Sequence, residues 1–223
     1  MQYELIYARQ KTLSIRIDEA GGVHVRAPYG LPRRICDELV EGKAAWISEK
    51  QALAQKRRQE SAAFLDGGRK TLPYLGRDYP VEWVDDPPPF FHGTRFCLPN
   101  PSNPAEEKNM IAALYQKLLW DKIRPTVENY ASLMGVFPQK IQITKARTRW
   151  GSCSGKNSLN FSWRLLAAEE AVIRYVVIHE LAHIREHNHS PRFWHIVEEW
   201  CPDHALLRQK LKALAEKLNR EGL

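Results

Sequence analysis

The stretch "VIRYVVIHELAHIREHNHS", residues 172–190, decides how the second half of this chain is read. Its opening, "VIRYVVI" (172–178), is rich in β-branched residues, which favour strands. The spacing of His179, Glu180 and His183 favours a helix instead. In a strand, four residues at ~3.3 Å each would hold the two histidines about 13 Å apart, beyond the reach of one ion. In a helix, positions i and i+4 lie about 5–6 Å apart on one face, so bonds of ~2.0–2.1 Å can converge on one zinc ion. The apolar run from Ala171 to Ile184 is also long for a strand, and its apolar residues surround the helical axis. That is the pattern of a helix buried in a core. The expectation is a buried helix bearing a His-Glu-x-x-His metal motif.

Glu180 lies on the same general side of that helix as His183, so it can face an open metal position without binding the ion. There it suits a catalytic base acting on a zinc-activated water. A catalytic zinc usually has three protein ligands. His187 is too far along the axis if the helix continues, at about 12 Å from His179. Asn188 reads as a left-handed residue ending the first helix, and Ser190-Pro191 reads as a cap opening the next. His189 falls in the bend between them and is the expected third ligand, with Glu198 or Glu199 as the alternative. His195, among Phe193, Trp194, Ile196 and Val197, reads as a core histidine or one behind the ligands.

Composition bounds the setting. A chain of 223 residues, 43% hydrophobic and 26% charged, is long enough for one large domain or two modest ones of ordinary soluble character. The first residues show no basic region followed by an apolar stretch, and no apolar run approaches the ~18 residues of a membrane span. The four cysteines (36, 97, 153 and 201) form no Cys-x-x-Cys pair, which argues against a cysteine zinc cluster and suits a cytoplasmic protein. A charge of +7 can attract nucleotide or nucleic acid, or serve solubility alone.

The first quarter reads as strands, "YELIYA", "LSIRID" and "VHVRA", with "EAGG" turning before the third. Residues 31–59 read as a helix broken near Gly42, and its basic tail "QKRRQ" as a solvated face. Strand texture returns from 69 to 84 and again at "TRFCLP", divided by "DDPPP". "LPNPSNP" (98–104) reads as a linker between a β-rich domain, 1–99, and a second domain, 104–223. Asn103, Pro104 and Glu106 then open a long amphipathic helix that Pro125 kinks or restarts. "KIQITKARTRW" and "SLNFSW" read as an outgoing and a returning strand around a turn, and Leu207, Leu211, Leu214 and Leu218 mark a last amphipathic helix.

Three stretches in order, "TRWGSC" (148–153), "YVVIHELAH" (175–183) and "NHSPRFW" (188–194), resemble the YgjP-like zinc metallopeptidases, relatives of the SprT-like group among the zincins. The resemblance implies an α+β fold: a β-rich N-terminal portion with a helical pair, then a mostly helical zincin-like catalytic portion with a small antiparallel sheet. It implies one catalytic Zn2+ held by His179, His183 and His189, Glu180 as base, and a polypeptide substrate. The interval from His179 to His189 also matches the metzincin pattern, but Glu186 stands where that clan has its turn glycine, so the bend is expected at Asn188. Trp150 and Cys153 read as packing residues. Lys145, Arg147 and Arg149 alternate, which on one strand would place all three on one face, and Arg147 and Arg149 could then bind phosphate. Members of this family have been labelled UTP pyrophosphatases, so a nucleotide substrate is the alternative, with a nucleic-acid-associated SprT-like protease and a zinc-stabilised binding module behind it.

Overall fold

The computed structural model describes residues 2–18, 20–66, 68–85 and 88–223. It divides by packing into two compact units, Met1–Gly67 with Asn219–Gly222, and Gly68–Leu218 with Leu223. The fold class is mixed α+β, as the sequence implies.

In the first unit, strands β1 (Glu4–Ala8), β2 (Ser14–Ile17) and β3 (Val23–Pro28) form a sheet in the order β1-β3-β2. The β2–β3 hairpin is closed by Asp18, whose carboxylate accepts from the main chain of Ala20 and Gly22. Glu19, the first residue of the expected turn, lies outside the described residues. The helical region is two helices, α1 (Arg33–Gly42) and α2 (Ala44–Phe64), interrupted at Lys43, close to the expected break. Val23, Val25, Cys36, Val40 and Ile47 form this unit's core, and the "QKRRQ" run is exposed on α2.

The second unit begins with strands β4 (Thr71–Tyr74), β5 (Arg77–Val84), β6 (Phe90–Phe91) and β7 (Phe96–Pro99) in the order β4-β5-β7-β6. Of the "DDPPP" divider, residues 86 and 87 lie outside the described residues. These strands pack against the C-terminal half of the chain. Leu75 and Gly76 donate main-chain bonds to Leu166 and Ala167, the Tyr115 hydroxyl bonds to Pro73, and Phe96 lies against Tyr115 with ring centres 6.0 Å apart. The boundary between compact units therefore falls at Gly67/Gly68, not at the proline-rich stretch around residue 100, which is a short turn inside one core.

Helix α3 (Pro104–Met134) starts as its sequence dictates. The Asn103 side chain accepts from the Ala105 and Glu106 amides, and Glu106 reaches back to the Ser102 amide. Pro125 sits inside this single helix of 31 residues without ending it. Ile111, Leu114, Tyr115 and Leu119 are buried along one stripe, as their spacing requires.

Beyond α3 come β8 (Lys140–Thr144), β9 (Gly151–Cys153) and β10 (Ser158–Ser162), ordered β8-β10-β9. β9 pairs antiparallel with β10, but β8 pairs parallel with it, so the small sheet is mixed where an antiparallel one was expected. The run "KIQITKARTRW" is also not one strand. The parallel register ends at Thr144 opposite Ser162, where β10 turns into a short 3-10 helix, Trp163–Ala167, capped by the Ser162 hydroxyl. Without a partner strand, residues 145–150 form a loop, tied by bonds to the Ala146 and Trp150 carbonyls from Ser162. Helices α4 (Glu170–Arg185), α5 (Pro191–Trp200) and α6 (His204–Arg220) complete the chain. Among the described residues no helix is long and apolar enough to cross a membrane.

Because Asn103 satisfies two amides at the start of α3, Asn103→Ala should destabilise the second unit by about 0.5–2 kcal/mol. A lower urea unfolding midpoint for the variant than for wild type checks it.

Candidate metal centre

Helix α4 buries Val172, Ile173, Tyr175 through Ile178, Leu181 and Ala182, and it carries His179, Glu180 and His183 into that setting. The helix stops at Arg185, where Glu186 leaves in an extended conformation with φ −138°. The helix thus ends earlier than the expected stop at Asn188, although the chain does bend at His187 and Asn188. Among the described non-glycine residues only Leu75 and Asn157 have positive φ, so Asn188 is not left-handed. An extended residue needs no glycine, which explains how Glu186 is accommodated where a glycine turn might be looked for. Asn188 instead uses its side chain to accept from the Ser190 amide, and Ser190 caps α5 by accepting from the Phe193 amide.

This path returns His189 to the helix. One ring nitrogen from each of His179, His183 and His189 lies within 4.8 Å of the others. The Nε2 atoms of His179 and His189 are 3.2 Å apart. Two nitrogens bound tetrahedrally at ~2.0–2.1 Å to one ion would be about 3.3–3.4 Å apart, so the cluster fits a shared divalent cation. The His183 Nδ1 lies 3.1 Å from the Glu186 carbonyl, an arrangement that leaves its Nε2 for the cluster. Among the described residues the buried His179 Nδ1 has no protein partner. Ring packing holds the imidazoles. The fully buried Phe193 phenyl sits 4.8, 4.4 and 4.7 Å from the centres of His179, His183 and His189.

His187 is exposed and outside the cluster, and so are Glu198 and Glu199. His195 is exposed on α5 rather than packed in a core. Burial holds His179 neutral, with its pKa pushed down to about 3 by desolvation first and then by the charges of His183 and His189. Desolvation also lowers His183. Both are thus poised as neutral nitrogen donors, the state a metal requires.

Glu180 is 5% exposed, and burial pushes its carboxyl up to about 8, against the lowering effects of the Arg149 charge and a bond from the Cys153 amide. The carboxylate can lie there because residue 151 is glycine. A Cβ at Gly151 would stand 2.5 Å from Glu180 Oε1 and 2.7 Å from its Cγ. Trp150 and Cys153 pack partly buried against the core, as read, and Trp150 also faces the cleft beneath the Arg164 guanidinium. Arg147 and Arg149 do not share a strand face. They lie in the 145–150 loop, where Arg147 donates to the Leu223 carbonyl and Arg149 is exposed.

A family model described as the YgjP-like metallopeptidase domain matches residues 11–214. The chain belongs to the YgjP-like family. That membership supports metal-dependent peptidase chemistry in general terms. The crystal structure of the metallopeptidase zymogen of Pyrococcus abyssi abylysin is similar at a TM-score of 0.38 and 23% identity, over 41% of this YgjP-like chain and 92% of that one. No curated protein matches it.

Reading by sequence missed Gly151, Phe193 and two cations of the cleft, Arg208 and Lys212. Phe193 lies inside "NHSPRFW", three residues after the capping serine, which could have placed it under the imidazoles. Arg208 and Lys212 stand one turn apart on α6 next to the buried Leu207 and Leu211, a face no motif marks.

The surroundings of Glu180 set two expected outcomes. Gly151→Ala should lower hydrolysis roughly 100-fold through a misplaced carboxylate while metal content by atomic absorption stays unchanged. In metal-free protein the Glu180 carboxyl is protonated below its ordinary value near 4.5 whether folded or unfolded, and between there and about 8 the folded state keeps a proton that the unfolded state has lost. Stability from this group therefore falls as pH rises through that window. The opposite trend of His179, which loses stability as pH falls from 6.5 toward 3, is common to wild type and Glu180→Gln and cancels. The Tm of chelated Glu180→Gln should exceed that of wild type by more at pH 8.5 than at pH 5.

Proposed function

We propose that this protein is a zinc metallopeptidase, with His179, His183 and His189 as the metal ligands and Glu180 as the catalytic base. The observation that carries the reading is the convergence of three imidazoles, two of which, His179 and His189, line a cleft of about 550 Å³ together with the buried Glu180 carboxylate. When bound, zinc supplies Lewis acidity to a water and to the scissile carbonyl. Glu180, oriented by the Cys153 amide, takes the water's proton on a carboxylate oxygen and passes it to the leaving nitrogen. Phe193 fixes the three rings before any substrate arrives.

The substrate is a polypeptide in extended form. β9 is an edge strand, and its Trp150 and Ser154 neighbours bond inward to β10. By alternation Gly151 and the Cys153 carbonyl face the outer edge, the Cys153 amide being given to Glu180, and a peptide can add there as a strand beside the imidazole cluster. A nucleotide substrate would draw on Arg147 and Arg149 together, yet Arg147 is engaged by the Leu223 carbonyl. The setting is cytoplasmic, which four free thiols suit.

Glu180→Gln should retain zinc and lose hydrolysis of unfolded polypeptide by at least roughly 1,000-fold, whereas His189→Ala should lose zinc on dialysis. Mass-spectrometric detection of cleavage products with metal analysis of the same samples decides it. Turnover surviving in Glu180→Gln, or hydrolysis confined to nucleoside triphosphates, would overturn the reading.

A further inference from the structure

The cleft that reaches the imidazole cluster has two kinds of wall. Trp150, Tyr175 and Trp194 give it aromatic surface, and Arg208 and Lys212 of α6 give it positive charge. The cations of α6 are not equivalent. Lys210 bonds to Glu169 at 2.7 Å and Lys217 to Asp78 at 2.6 Å, so these two fasten the helix to its surroundings. Arg208 and Lys212, on the side that faces the cleft, have no carboxylate partner among the described residues. Their spacing, one turn apart, places both heads along one strip of wall.

Arg208 is also held in place. Its guanidinium lies 5.8 Å from the Trp194 ring centre, and His204 stacks on the same indole at 5.5 Å. A guanidinium resting on an aromatic ring keeps its edge donors for a planar anion. A preorganised cation beside a partly desolvated wall, with no internal counter-ion, is an anion site whose anion comes from outside the chain.

We infer that Arg208 and Lys212 form a subsite for a substrate carboxylate, so that peptides bearing one close to the scissile bond are preferred. This rests on the peptidase reading above. The carboxylate comes either from an Asp or Glu side chain or from the free C-terminus of the peptide, and the two share one chemistry. Against a phosphate group stands the shape of the site: the remaining walls are indole and phenol rings that suit peptide side chains, and no glycine-rich turn of main-chain amides lines the cleft.

The test uses the full-length zinc-loaded protein and four matched fluorogenic peptides that differ only in Glu versus Gln near the cleaved bond and in a free versus amidated C-terminus. One of the two carboxylates should raise kcat/KM roughly 10–100-fold over the neutral peptide, the worth of one charge-assisted bond, and the arm that does so identifies the source. In Arg208→Gln/Lys212→Gln that ratio should fall to about one. In Arg208→Glu/Lys212→Glu the order should reverse, with a Lys-containing peptide cleaved in preference to the Glu peptide, an outcome that a merely misfolded variant cannot give. Binding of the same peptides to zinc-loaded Glu180→Gln, followed by tryptophan fluorescence, separates the two readings. Peptides cleaved without any carboxylate preference, or a preference that persists in the double variants, overturn the subsite and leave the peptidase standing. Carboxylate-selective binding without cleavage in wild type overturns the peptidase and leaves the subsite. Tighter binding of nucleoside triphosphate than of any peptide, lost in the double variants, overturns the assignment to carboxylate.

Discussion

One helix has to be buried almost all round and still present two imidazoles and a carboxylate to the same side. Apolar burial drives α4 into the core, while desolvation of Glu180 and His179 opposes it. Neighbouring elements answer that conflict. β9 contributes an amide to Glu180 and, by having glycine at 151, the room for its carboxylate. α5 brings Phe193 under the three rings, and the Asn188–Ser190 turn returns His189 to the helix it has just left. The sheet, the turn and the following helix are thus arranged around a group of polar side chains that no apolar core would accept unaided.

Much of this was legible because it is local. The i, i+4 histidines and the apolar wheel of residues 171–184 specify the helix, and Ser190-Pro191 specifies the start of the next. Asn103, Pro104 and Glu106 specify the start of α3 in the same way. These signals need nothing beyond their own turn of chain.

The features that were not legible depend on partners distant in sequence. Lys145, Arg147 and Arg149 alternate as a strand would, but strand pairing ends where β10 curls into its 3-10 helix, so the alternation has no face to act on. The proline-rich stretch near residue 100 looks like a boundary, yet Phe96 and Tyr115 on either side of it share one core. Gly151 and Glu180 are nearly thirty residues apart, and only their side-by-side placement explains why the former carries no side chain. Glu186 shows the reverse case: its extended backbone makes the departure from the helix that a glycine turn would otherwise supply.

Phe193 belongs at once to the floor of the imidazole cluster and to the hydrophobic interior, where it is wholly buried. The rings therefore lose their mutual geometry in the same cooperative event that opens the interior, and a cation they capture has no equivalent host in the unwound chain. For a divalent ion held by these rings, free ion concentration would then act as a dial on folding itself, stabilising the native state by RT ln(1 + [ion]/Kd). A cell that starves the protein of its ion would thereby shorten its lifetime along with silencing it.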